Sequence, residues 1–66
     1  MKTKCRISSS TKDSLQKAIN DYYFSSNYVI TDDNKVYHTK ADKFLEGFII
    51  KVTGGRWQLR EIEKEI

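Results

Sequence analysis

Cysteine, histidine, proline and glycine are all scarce in this chain, and that scarcity excludes several kinds of protein before any pattern is read. Cys5 is the single cysteine, so neither an internal disulfide nor a cysteine zinc cage can form. A free thiol suits a reducing compartment. His38 is the single histidine. One His and one Cys on different elements fall short of the three or four ligands that zinc takes. A Cys–His nucleophile pair would still need an orienting group and an oxyanion site. The inventory therefore calls for no metal, no cofactor and no enzymatic activity. No apolar run approaches the ~18 residues of a membrane-spanning helix. The segment Met1 to Arg6 is basic with no apolar stretch behind it, which predicts no signal peptide and a cytoplasmic protein. Proline is absent, but apolar residues at 38%, charged residues at 32% and a full set of aromatics are too mixed for a disordered tail.

At 66 residues the chain makes one small domain. A chain of this size buries only about 60% of its unfolded surface, which leaves little room for both a core and a deep substrate cleft. The net charge of +3 is a modest bias toward anionic partners.

Two of the three glycines stand together, and they organise the C-terminal third. Gly54-Gly55 separates two alternating runs, and a Gly-Gly pair supplies the φ > 0 that a tight hairpin turn demands. That turn sets Thr53 opposite Arg56, Val52 opposite Trp57, Lys51 opposite Gln58 and Ile50 opposite Leu59. Side chains alternate along a strand, so Ile50, Val52, Trp57 and Leu59 share one face and Lys51, Thr53, Arg56, Gln58 and Arg60 the other. Turn and apolar pattern agree on one register. Trp57 is read as a core residue paired with Val52. A phosphate-loop reading of the glycines fails because strand, not helix, follows them.

The rest of the chain supplies the other layer. Thr3, Cys5 and Ile7 alternate with Lys2, Lys4 and Arg6, predicting a strand with a buried side and a cationic side. Ser10 and Asp13 resemble a capping box. Leu15, Ala18, Ile19 and Tyr22 form the apolar stripe of a helix over about Thr11 to Tyr23. A second hairpin is expected over Tyr28 to Thr31 and Lys35 to His38, around Asp32-Asp33-Asn34. A two- or four-residue loop would set Ile30 beside Tyr37; a three-residue loop would set it with Val36 and His38. The first is preferred, because it gathers Tyr28, Ile30 and Tyr37. Thr39 to Gly47 reads as a short helix or, nearly as well, a loop. Residues 61–66 read as a strand extension or a helical turn. The expected fold is α+β: two layers, with a mostly antiparallel sheet of about five short strands on one amphipathic helix.

Two functional readings follow. If the first strand and the last hairpin share a sheet, Lys2, Lys4, Arg6, Lys51, Arg56 and Arg60 all project from its open face, with Gln58 among them. Such a face suits the phosphates of DNA or RNA, bound without strong sequence preference. It lacks aromatics for base stacking, which argues against sequence-specific single-strand recognition. The simpler reading is that these cations keep an exposed sheet soluble and unaggregated. The second functional reading is a protein-interaction or self-associating module. Tyr22, Tyr23 and Phe24 cannot all face one core: Tyr22 fits the stripe, Tyr23 its margin and Phe24 the reverse side. The favoured reading folds the loop back and buries Phe24 as a second anchor; the functional one leaves Tyr23 and Phe24 to meet a partner protein or the second chain of a homodimer.

Overall fold

The Gly54-Gly55 turn forms in the register that its sequence predicts, with φ of +57° and +78° at the two glycines. In the computed structural model, which describes residues 2–63, it joins the longest hairpin of the chain. In chain order the elements are β1 (Thr3–Ser9), α1 (Lys12–Tyr22), β2 (Tyr28–Ile30), β3 (Val36–His38), β4 (Lys43–Phe44), β5 (Phe48–Thr53) and β6 (Arg56–Ile62). They make an α+β domain with two three-stranded antiparallel sheets, ordered β1-β6-β5 and β2-β3-β4, in place of a single sheet of about five strands.

The core forms where the helix and the smaller sheet close on one face of the larger. Leu15 and Ile19 from α1, Ile30 and Val36 from the β2–β3 hairpin, and Ile50 and Leu59 from β5 and β6 are buried together. Leu59 is fully buried in the central strand and pairs with Ile7 on one side and Ile50 on the other. Trp57 packs against this cluster but is only half-buried, and its cross-strand partner Val52 is 46% exposed, because the hairpin runs past the end of the cover. The face assigned to Trp57 is correct; its depth is less than a core position implies.

The helix is capped one residue later than the capping box suggests. The Thr11 hydroxyl accepts from the Ser14 amide at 3.1 Å, satisfying one of the free N–H groups of the first turn. Asp13 remains in that turn, where its charge complements the helix dipole. At the other end, the Ser25 amide donates to the Asn20 carbonyl and the Phe24 amide to the Asp21 carbonyl. This is the Schellman pairing, and it puts Phe24 in the left-handed conformation at φ +51°, a place that glycine usually takes.

Two local expectations are corrected. The β2–β3 loop is the three-residue one, so Ile30 pairs with Val36 and Tyr28 with His38. The Thr31 amide and the Lys35 carbonyl close it at 2.8 Å, and Asn34 takes φ +59°, the left-handed residue that such a loop contains. The segment 39–47 is not helical. It turns through Asp42 at φ +54° and lays β4 against β3, pairing Phe44 with Tyr37. A strand pairing won because so short a segment cannot pay the cost of nucleating a helix. Glu61 and Ile62 extend β6; the remainder of the expected tail element, 64–66, lies outside the described residues.

Candidate nucleic-acid interface

The open face of the larger sheet is defined by pairing. Leu59 faces the core, so Arg60 faces away from it, and the residues paired with Arg60, Cys5 and Ile49, face away as well. The same parity puts Thr3, Ser8, Lys51, Thr53, Arg56, Gln58 and Ile62 on this side. None of these residues belongs to the core cluster or packs against it.

A β-bulge decides which of the expected cations share that face. Cys5 pairs with Arg60 and Ile7 with Leu59, so Arg6 is an extra residue with no opposite number. The bulge reverses every side chain that precedes it. Lys4 pairs with Glu61, which pairs in turn with Phe48 of the core side. Arg6 holds Glu61 at 2.6 Å, and this carboxylate raises the Arg6 pKa further by hydrogen bonding and charge. Lys4 and Arg6 line a groove of about 650 Å³ with the carboxylates of Glu46, Glu61 and Glu63. Lys2 shares their parity, and its carbonyl accepts from the Glu63 amide at 2.9 Å. The six cations therefore do not form one patch: Lys51, Arg56 and Arg60 hold the open face, and Lys2, Lys4 and Arg6 leave it. Cys5 is exposed on the open face instead of packed beneath the helix, for the same reason.

The two open-face arginines are held by neutral acceptors. Arg60 donates from Nε to Thr3 Oγ1 at 2.7 Å, from Nη2 to the Thr3 carbonyl at 3.1 Å and from Nη1 to Gln58 Oε1 at 2.8 Å. Arg56 donates from Nε and Nη2 to Ser8 Oγ at 3.3 and 3.0 Å. Their guanidiniums are positioned without being neutralised, which lowers the ordering cost of meeting an anion. Elsewhere Asp32 lies 3.8 Å from Lys12 and Asp33 3.7 Å from Lys35. The Thr31 hydroxyl, then a backbone hydrogen bond and the nearby Lys35, hold the Asp33 pKa below the usual carboxylate range against a small opposing effect of burial. Among the described residues no carboxylate pairs with Lys51, Arg56 or Arg60.

The aromatic helix end divides as its crowding demands. Tyr23 packs against the core and stacks with Tyr28 at 5.0 Å, and burial pushes its phenol pKa up. Phe24 is 98% exposed, so the loop does not fold back to bury it as a second anchor; its left-handed backbone at the helix end turns the ring to solvent. A large apolar side chain held in water and in a left-handed conformation is unfavourable on both counts. Phe24→Gly is expected to stabilise the fold by about 1 kcal/mol, because glycine takes this conformation freely. Thermal or urea unfolding checks it; a loss of stability would mean that the ring packs usefully in solution.

His38 and Cys5 lie on different sheets, and among the described residues no three of His, Cys, Asp and Glu are grouped as metal ligands would be. The His38 Nδ1 accepts from the Ala41 amide at 2.9 Å and its ring meets Tyr28 edge-on, so it helps to hold the β3–β4 turn. Among the described residues no helix is long and apolar enough to cross a membrane. Comparison with protein families, with curated proteins and with solved structures finds no match for this chain.

Proposed function

We propose that this domain is a non-catalytic nucleic-acid-binding module that uses the open face of the β1-β6-β5 sheet, with weak sequence preference. One observation carries the reading: Lys51, Arg56 and Arg60 share a sheet face that bears no carboxylate among the described residues, and both guanidiniums are pre-positioned by neutral groups. A face kept soluble merely by charge needs no such positioning. Phosphate oxygens are the acceptors that fit it. The absence of aromatics from this face favours backbone contact over stacking on unpaired bases.

The reading sets a salt dependence. Each cation on a B-DNA phosphate contributes about 0.9 to the log–log slope of affinity against salt, so Lys51, Arg56 and Arg60 together predict a slope near −2.7. Titration of a mixed-sequence duplex from ~50 to ~200 mM salt measures it. A slope near zero, or no binding at the lowest salt, would remove the proposal.

Phe24 supports the second reading, a protein contact or self-association through the helix end. Its exposure and backbone conformation both oppose stability, and such outliers are retained where function requires them. Sedimentation of the wild type beside Phe24→Gly tests it: a mass that falls to monomer in the variant supports self-association, and a monomer in both leaves only a different partner.

A further inference from the structure

We propose that two copies of this chain pair through the outer edge of β5, antiparallel about a two-fold axis at Ile50, so that their larger sheets join into one. β5 ends the strand order of its sheet and pairs only with β6. Its register fixes which backbone groups are left over. The two-residue turn makes Thr53 and Arg56 a hydrogen-bonded pair, and such pairs recur at every second residue. Lys51 and Ile49 therefore point their N–H and C=O groups at β6. Gly47 keeps the same phase, since its carbonyl accepts from the Ile62 amide at 2.8 Å. Phe48, Ile50 and Val52 point theirs the other way, where among the described residues no backbone group of this chain bonds them.

The two edges of the larger sheet differ in what guards them. β1 is broken by the bulge at Arg6 and carries Lys4 and Arg6, and bulges and cations are the usual protection of an edge. β5 runs from Phe48 to Thr53 with no break in register and with Lys51 as its one cation. A straight, largely apolar edge is a template for another strand, and this one is complementary to itself. With the axis at Ile50, Ile50 meets Ile50 of the second copy as a hydrogen-bonded pair and Phe48 meets Val52. Every free N–H and C=O of these three residues then finds a partner. Lys51 lies beside Ile49 of the second copy. Moving the axis to Lys51 sets two ammonium groups face to face and leaves Phe48 unpaired; moving it to Ile49 leaves Val52 unpaired. The Ile50 register also brings Phe48 of the second copy beside Val52, an apolar residue that the fold leaves 46% exposed. An axis normal to the sheet keeps like faces together, so Lys51, Arg56 and Arg60 of both copies share one open face. The pairing does not rest on the nucleic-acid reading, although it doubles the surface which that reading uses.

One strand edge buries less than the ~1,600 Å² of a standard interface, so the dimer is expected to be weak and to form between micromolar and millimolar protein. Sedimentation without nucleic acid should show the mass rising with concentration from 7.8 kDa toward twice that value. Residue-resolved amide exchange supplies the signature. The amides of Ile49, Lys51 and Thr53 should be protected at every concentration, whereas those of Phe48, Ile50 and Val52 should gain protection severalfold, in step with the mass. Val52→Pro removes one outward N–H, a change that edge strands tolerate. Val52→Lys keeps the backbone and sets a charge against Phe48 of the second copy. Each variant should stay at monomer mass where the wild type dimerises, with thermal unfolding showing the fold kept; if Val52→Pro does not fold, Val52→Lys decides alone. A wild type that is monomeric up to millimolar concentration would overturn the proposal. So would a dimer in which the three amides stay unprotected, or one that Val52→Lys leaves intact and Phe24→Gly dissolves, which would put the contact at the helix end.

Discussion

Replacing Arg56 and Arg60 together by glutamate is expected to abolish duplex binding at ~50 mM salt, where phosphate-driven association is strongest. Among the described residues the open face carries Lys51, Arg56 and Arg60 and no carboxylate, so the double change leaves it with net negative charge facing a polyanion. The fold should survive. Neither side chain contributes to the core, and the lost hydrogen bonds to Ser8, Thr3 and Gln58 are at an exposed or half-buried surface, costing roughly 1–2 kcal/mol in all. The informative control is Lys2→Glu with Lys4→Glu. It makes the same change in charge at the start of the neighbouring strand, but on the parity that the bulge turns off the open face, where Lys4 lines a groove with Glu46 and Glu61. Most of the affinity should remain. An equal loss in the two variants would show that overall charge, and not this face, drives binding.

Leu59→Ala is expected to cost about 2–5 kcal/mol, the range for removing a fully buried leucine without collapse of the cavity. Leu59 has no exposed surface and joins Ile7, Ile50 and the helix residues Leu15 and Ile19 in one cluster. The whole stability of a chain this size is about 3–10 kcal/mol, so the variant should populate unfolded molecules under ordinary conditions. Trp57→Ala should cost less, since the ring is only half-covered and Val52 beside it is exposed. Urea unfolding of both variants orders the two effects. A Leu59→Ala cost below ~1 kcal/mol would contradict the placement of the core.

What the sequence discloses and what it hides follow from how local each determinant is. The β5–β6 hairpin is legible to the residue because a Gly-Gly turn and an apolar alternation specify its register twice. The helix is legible because Leu15, Ala18 and Ile19 make one stripe, although Thr11 rather than Ser10 caps it and Tyr23, not the exposed Tyr22 expected in the stripe, packs against the core. The bulge at Arg6 is not legible. Lys2 to Ile7 alternates cleanly, and the break appears only when β1 meets β6, where an even alternation would leave Glu61 without its cation. That single extra residue moves half of the expected basic patch and brings Cys5 to the surface. The β2–β3 register turned on Asn34, whose tolerance of the left-handed conformation favours a three-residue loop over the arrangement that gathers more apolar residues. The segment 39–47 is ambiguous in sequence because its apolar spacing suits a short helix, whereas the partner it takes, β3, lies in another element.

The bulge also supplies the most direct test of the account, because it places the single thiol beside the proposed interface. Cys5 pairs with Arg60 on the open face and is exposed, so its labelling by a neutral thiol reagent can be followed by mass with no competing cysteine. In free protein the reaction should proceed without a lag for opening. Saturating duplex at low salt should slow it severalfold, and raising the salt until the duplex dissociates should restore the original rate. Labelling that is unchanged while the duplex is demonstrably bound would place nucleic acid elsewhere on the domain and contradict the assignment of the open face.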